Sequence, residues 1–354
     1  MNVELPNIGK ISPQAFAHFI YPHLGAEDPR ILVGPKSGVD IGVVQVAQGV
    51  VMATTTDPVF VVPSYGWKRA AWFAVHILAS DAATSGLKPS LMTVDLNLPL
   101  EMSTEDFGLF WEAWDDACRD LGIAVVSGHT ARYEGCHFPM VGGATVMALG
   151  PEDRYVSTDM AMAGDVVVCT KGAAIEATGL FAATFPDLIR RRLGDSIWKA
   201  ADALFDQMTV VQDALIAASV GVRGAGVTAM HDATECGIIG GVYEIAEASG
   251  LGVELHDDDI LIRPEVRAVT DLVGIDPLLS ISEGTLLLTV RPEKADHVLR
   301  RLSQEGIQVS VIGTMKPASQ GMWRITGGRR VPLVHPRIDP FWTAFAQVSQ
   351  EGLR

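Results

Sequence analysis

The chain is poor in positive charge: 27 Lys and Arg stand against 42 Asp and Glu in 354 residues, a net charge of −15. Nucleic acids and anionic membrane surfaces are bound through basic footprints, so this balance excludes them as the main partner. It suits anions that are bridged to the protein by a metal ion. Cysteine is scarce as well. Cys118, Cys136, Cys169 and Cys236 are far apart and form no Cys-x-x-Cys pair, and the nine histidines contain no His-x-x-x-His. That excludes a disulfide framework and argues against zinc. With no signal-peptide pattern at the start, a reducing cytoplasm is the expected setting. Long apolar runs are missing too. Ile41–Thr56 is uncharged but contains two Gln and three Thr, and it is shorter than the roughly 18 apolar residues of a spanning helix. What is present, 48% hydrophobic and 19% charged residues, excludes a disordered chain, and the length predicts two domains.

β-branched runs bounded by turn residues predict strands at Ile41–Ala47, Val50–Thr55, Ser90–Leu96, Ile123–Val126 and Val141–Leu149. Helical periodicity predicts helices at Trp67–Ser80 and Thr104–Leu121, the second opened by Ser103 or Thr104 and closed before Gly122. The segment Gly150-Pro151-Glu152-Asp153-Arg154 breaks the pattern and a strand, Asp165–Thr170, follows. The expected domains are therefore 1–157 and 158–354. The second half repeats the alternation, with helices at Gly179–Phe185, Ile197–Ala218, Ile238–Ala248 and Glu293–Gln304, and strands at Val253–Leu255, Gly284–Val290 and Val309–Ile312. Both halves read as mixed α/β units.

Acids recur where elements of the first half end: Asp40 in Ser37-Gly38-Val39-Asp40, Asp57 after Thr54-Thr55-Thr56, and Asp81 in Ala79-Ser80-Asp81-Ala82. A single acid in a turn commonly caps a helix or bonds its own backbone. Three in similar settings point to Mg²⁺, which takes one or two protein carboxylates, waters and polyphosphate oxygens. Asp81 interrupts an apolar helix end, where a lone charge costs several kcal/mol. Ser127-Gly128-His129-Thr130 reads as a strand-end turn that presents His129 to a phosphate or a metal-bound water. Lys10, before a helical segment, offers a cation to an anion without Walker-A spacing. In the second half, Met230-His231-Asp232-Ala233-Thr234-Glu235-Cys236-Gly237 joins a strand to a helix in which Gly237, Gly240 and Gly241 predict close approach of another backbone or a ligand. Lys171 with Glu176, and Glu283-Gly284, mark two further turns as candidate walls of one cleft.

In order along the chain, Gly38-Val39-Asp40, Thr55-Thr56-Asp57-Pro58, Ser80-Asp81-Ala82-Ala83-Thr84-Ser85-Gly86-Leu87-Lys88-Pro89, Ser127-Gly128-His129-Thr130, Met230-His231-Asp232-Ala233-Thr234 and Glu283-Gly284 resemble the superfamily of aminoimidazole ribonucleotide (AIR) synthetase, also called PurM, with selenophosphate synthetase, thiamine-monophosphate kinase and the hydrogenase maturation protein HypE. The HypE-like, AIR-synthetase-related members are the most similar in the Gly9-Lys10-Ile11-Ser12 and Thr170-Lys171-Gly172 segments. The resemblance implies a two-domain α/β fold, a homodimer whose N-terminal sheets pair into a barrel, and ATP held without a Walker loop. It implies Mg²⁺ on Asp40, Asp57 and Asp81, further nucleotide contacts from Lys10, Lys171 and Glu283, and catalytic roles for Asp232, Thr234 and His129. The implied activity is phosphorylation of an oxygen on a small, unidentified acceptor; a kinase resembling thiamine-monophosphate kinase and a non-catalytic ATP-binding regulator are the alternatives. Val39, His129 and Cys236 depart from the acid, Asp and Gly of many relatives. The last cysteine here is Cys236, so the C-terminal cysteine chemistry of HypE is not expected, and with Cys118 the first, neither is the reactive N-terminal Cys of selenophosphate synthetase.

Overall fold

A computed structural model describes residues 11–350. Lys10 lies outside the described residues. The first sheet contains β1 (Ile31–Val33), β2 (Gly42–Ala47), β3 (Val50–Phe60), β4 (Pro89–Leu98), β5 (Ala124–Arg132) and β6 (Met140–Pro151), in the order β1-β2-β3-β6-β4-β5. Only β4 and β5 are parallel. The second sheet contains β7 (Val166–Thr170), β8 (Val227–Asp232), β9 (Gly252–His256), β10 (Leu286–Val290), β11 (Val309–Lys316), β12 (Met322–Thr326) and β13 (Arg329–Pro332), in the order β13-β12-β9-β11-β7-β10-β8.

The helix Trp67–Ala83 joins the two halves. Its residues Ala70, Ala74, Leu78 and Ala82 share one buried cluster with Val94 and Val146 of the first sheet and with Val210, Ala214 and Met230 of the second half. Phe73, on another face, packs among Phe181, Phe185 and Phe205. A helix rich in alanine lets both sheets approach closely, and that places strand ends of the two halves side by side. Polar contacts fix the approach: Arg69 forks onto Asp202 at 2.7 and 3.0 Å, and Ser80 Oγ accepts from the Val210 N–H at 3.0 Å. The helix Thr104–Leu121 forms as its caps predict, with Ser103 Oγ accepting from Asp106 N–H and Gly122 closing it in the left-handed conformation at φ 74°.

Three expectations change. The long helix Ile197–Ala218 is instead Asp195–Asp202, a 3₁₀ turn Phe205–Gln207 and Val211–Val220. It breaks at Thr209–Val210 because Lys171 takes the Thr209 carbonyl and Ser80 takes the Val210 N–H. Ser127–Thr130 is not a turn but the middle of β5, paired with β4 from Thr93 to Leu96. Asp57 likewise lies inside β3, opposite Ala144 of β6. The helices Pro186–Leu193, Pro264–Val273 and Pro340–Gln350 and the strands β1, β12 and β13 add to the predicted set.

Candidate active site

Alternation along β3 puts Asp57 on the same face as buried Val51, Ala53 and Thr55. The helix Trp67–Ala83 covers that face, and Thr55 donates from Oγ1 to Asp81 Oδ2 at 3.1 Å. Asp57 and Asp81 therefore meet beneath the helix end. Asp40 sits in the turn before β2. Gly38 in that turn has φ +73°, and a Cβ there would lie 3.1 Å from the Glu244 Cβ, so glycine is what lets the loop reach the second half. There, β8 ends in buried His231 and Asp232.

His231 joins the two halves. Its Nδ1 is 2.6 Å from Asp40 Oδ2 and its Nε2 is 2.8 Å from Glu244 Oε2. Burial opposes a charge on the ring, but the Asp40 and Glu244 carboxylates outweigh burial and raise its pKa well above the ordinary histidine range. A carboxylate oxygen faces each ring nitrogen, an arrangement that favours the protonated ring. Ligand atoms of Asp40, His231 and Asp232 lie within 4.8 Å of one another.

The acids around this point hold each other's protons. Burial raises the Asp81 pKa well above its usual range, and Asp232, Asp57 and Asp40 add to the shift. Glu283, 1% exposed, is raised in the same direction by burial and then by the charges of Asp232 and Glu176. Glu176 is pushed up to about 8, by burial first, against the Glu283 N–H that its Oε2 accepts at 3.0 Å. Hard carboxylate oxygens gathered from both halves fit Mg²⁺. Asp40, Asp57, Asp81 and Asp232 are the carboxylates gathered here. An ion there would offset the burial of these carboxyl groups and the mutual repulsion that adds to it.

The structure thus brings Asp40, Asp57, Asp81, Asp232 and Glu283 together. Thr234 follows on the turn after β8, where its N–H bonds the Asp232 carbonyl at 3.0 Å. That turn passes into the helix Gly237–Ala248 through Gly237, at φ +55°, where a Cβ would meet the Ser280 carbonyl oxygen at 2.5 Å. The close approach predicted from the glycines is made here by the chain itself. Lys171 is placed differently from expectation. Its Nζ bonds the Thr209 and Gly284 carbonyls at 2.6 and 2.9 Å and lies 2.9 Å from Asp213 Oδ2, so the ammonium is turned into the protein, where it fixes the Glu283 turn. His129 stands apart as well: it is exposed on the edge strand β5 and its Nε2 is 3.0 Å from Tyr133 Oη. Asp57, Ala144, Val94 and Gly128 are register partners across β3, β6, β4 and β5. Three inter-strand steps of about 4.8 Å put His129 some ~14 Å from Asp57 within the chain.

In the sequence His231 stands in a motif with no role of its own, and its adjacency to Asp232 is the available signal. Nothing local marks Glu244, which reaches the site from the helix Gly237–Ala248.

AIR synthase related protein, N-terminal domain, matches residues 38–150, and AIR synthase related protein, C-terminal domain, matches residues 162–322. A carbamoyl dehydratase HypE of Bradyrhizobium diazoefficiens is 28% identical over 262 residues, covering 70% of this chain and 69% of the relative. A selenide, water dikinase of a Geobacter species is 24% identical over 337 residues, covering 87% and 92%. The solved hydrogenase maturation protein HypE in complex with ATP shares the fold, with a TM-score of 0.67 at 19% identity over 94% of this chain and 97% of that one. The paired domain matches, the two-sheet architecture and this similarity to HypE show that the chain belongs to the AIR synthase related proteins of the PurM-like superfamily.

Proposed function

We propose that this protein is an ATP- and Mg²⁺-dependent enzyme that transfers the γ-phosphoryl group to an oxygen of a small acceptor bound between the two domains. The observation that carries the reading is the convergence of Asp40, Asp57, Asp81 and Asp232 from both halves on one point beside a doubly bonded His231. Bound Mg²⁺ would neutralise polyphosphate charge, which with alignment is most of what phosphoryl transfer requires. Asp57, from a strand, and Asp81, from a helix, would hold the ion together with Asp40, whose loop is pinned by His231, and Asp232 and Thr234 would face the acceptor. Relatives named for carbamoyl dehydration and for selenide phosphorylation support an ATP-dependent activity of this type. The four cysteines are free, which is compatible with a reducing compartment, and among the described residues no helix is long and apolar enough to cross a membrane.

The working unit of this proposal is a homodimer paired along β5, whose residues from Ala124 to Arg132 are nearly all exposed, Val125 and Val126 among them. His129 lies on that strand, so its route to a phosphate runs through the dimer.

Asp57→Asn and Asp81→Asn are expected to abolish the Mg²⁺-dependent thermal stabilisation by ATP while the ligand-free protein still melts cooperatively, with Asp40→Asn less severe. Asp232→Asn is expected to retain that stabilisation and lose turnover of labelled ATP. An unchanged ATP shift in both Asp57→Asn and Asp81→Asn overturns the site assignment. Product analysis separates a phosphorylated acceptor from ADP and phosphate released after dehydration, and the absence of any single turnover across acceptors supports the regulator.

A further inference from the structure

At the N-terminus of the helix Gly237–Ala248 the chain supplies an anion of its own. Cys236 and Gly237 are consecutive left-handed residues, at φ +66° and +55°; the Gly237 N–H bonds the Thr234 carbonyl at 3.1 Å, while the Cys236 N–H is given to an anion. The anion is the Asp339 carboxylate. Its Oδ2 accepts from Cys236 N–H at 2.6 Å and its Oδ1 from Phe341 N–H at 2.8 Å, and the Ile281 N–H also bonds it. The group is 3% exposed. Burial lifts its pKa to about 6 against these three donors, and the nearby charge of Glu235 adds to the lift. The carboxylate is thus held by backbone dipoles in acidic surroundings.

Its three donors belong to three separate segments. Cys236 follows the turn of Asp232 and Thr234, Ile281 precedes Glu283, and Phe341 opens the C-terminal helix Pro340–Gln350. That helix is itself anchored, since Phe341 and Phe345 pack on Phe181 and Phe185. We propose that Asp339 is a positioning residue, an internal anion on the C-terminal segment that sets the Asp232–Thr234 turn and the Glu283 turn against each other and so shapes the metal and acceptor side of the site. The part that concerns metal rests on the function proposed above. It follows that the acceptor does not use the Cys236 N–H.

The test uses the full chain with Asp339→Ala and with Asp339→Asn, which keeps one acceptor oxygen. Two readouts are taken with and without added formate: hydrogen exchange of the Cys236 and Ile281 amides, and Mn²⁺ binding followed by electron paramagnetic resonance in the presence of the non-hydrolysable ATP analogue AMPPCP. Asp339→Ala is expected to speed exchange at both amides and to weaken Mn²⁺ roughly 10- to 100-fold, the range for loss of a group that orients metal ligands. Formate is expected to restore both, and Asp339→Asn to fall between. Unchanged amide exchange, or freed amides with unchanged Mn²⁺ affinity, overturns the proposal, as does a loss that formate leaves uncorrected while the protein stays folded. If Asp339→Ala does not fold, Asp339→Asn carries the same comparisons. If the wild type binds no Mn²⁺ with AMPPCP, the proposed function falls, and amide exchange alone then decides whether Asp339 holds the two turns.

Discussion

Strands β5 and β8 are both edges of their sheets, and their surroundings are opposite. All six residues of β8 are buried. The Thr158 hydroxyl donates to its Met230 carbonyl at 3.2 Å, and Met230 lies in one cluster with Ala74, Leu78 and Ala82 of the Trp67–Ala83 helix. One half of the molecule covers the edge of the other. Along β5, by contrast, Val125 and Val126 are 41% and 55% exposed. A bare edge with apolar side chains is a template for pairing. The difference teaches that an edge strand needs cover from somewhere: the sealed edge buries His231 and Asp232 where the two halves meet, and the open edge leaves His129 exposed, away from them.

The largest expected effect comes from charging the open edge. Val126→Lys is expected to convert a light-scattering dimer to a monomer at micromolar concentration without lowering the melting temperature of the subunit; a wild type that is already monomeric breaks the comparison. Next is the sealed edge. Met230→Ala removes a fully buried side chain, and urea titration is expected to show a loss of about 2–5 kcal/mol, the usual cost of such a cavity.

A smaller effect concerns the acids that the sealed edge brings together. Glu176 has a native pKa pushed up to about 8 from 4.5, so between those values the native state binds more protons than the unfolded state. Stability is then expected to fall as pH rises across that window. Glu176→Gln is expected to flatten the slope in chemical denaturation series at pH 5 to 8, and Mg²⁺ with ATP to flatten it in the wild type; an unchanged slope removes Glu176 from the cluster. The smallest effect is at Cys236. Its left-handed backbone costs an ordinary residue about 1–2 kcal/mol, so Cys236→Gly is expected to gain up to about 1 kcal/mol, after the added unfolded-state entropy of glycine, and to retain ATP turnover.

Elements with strong local signals were legible in the sequence. Ser103 and Gly122 bound one helix as their capping chemistry requires, and β7 runs from Val166 to Thr170 as its β-branched run predicts. Asp57 and Asp81 stand out in the sequence as acids among apolar residues that call for a cation, and the structure sets the two carboxyl groups side by side. At Ser127–Thr130 the turn preference is local and what overrides it is not: Ser127 and Gly128 are turn formers, but pairing with β4 satisfies their backbone. The Ile197–Ala218 helix failed for a distant reason too, since the groups that break it, Ser80 and Lys171, are far away in sequence.

By itself the sequence determined the alternating α/β elements, the family they belong to and the acids of the first half, because periodicity, capping and motif spacing are local and survive without a fold. Only the tertiary structure decided which charges share a space. It turned Lys171 inward, set His231 between Asp40 and Glu244, filled the Cys236 N–H with Asp339 and left His129 on an open edge. Those outcomes depend on burial and on contacts between residues more than a hundred positions apart, as with His231 and Asp40 or Cys236 and Asp339, and no local pattern carries that information.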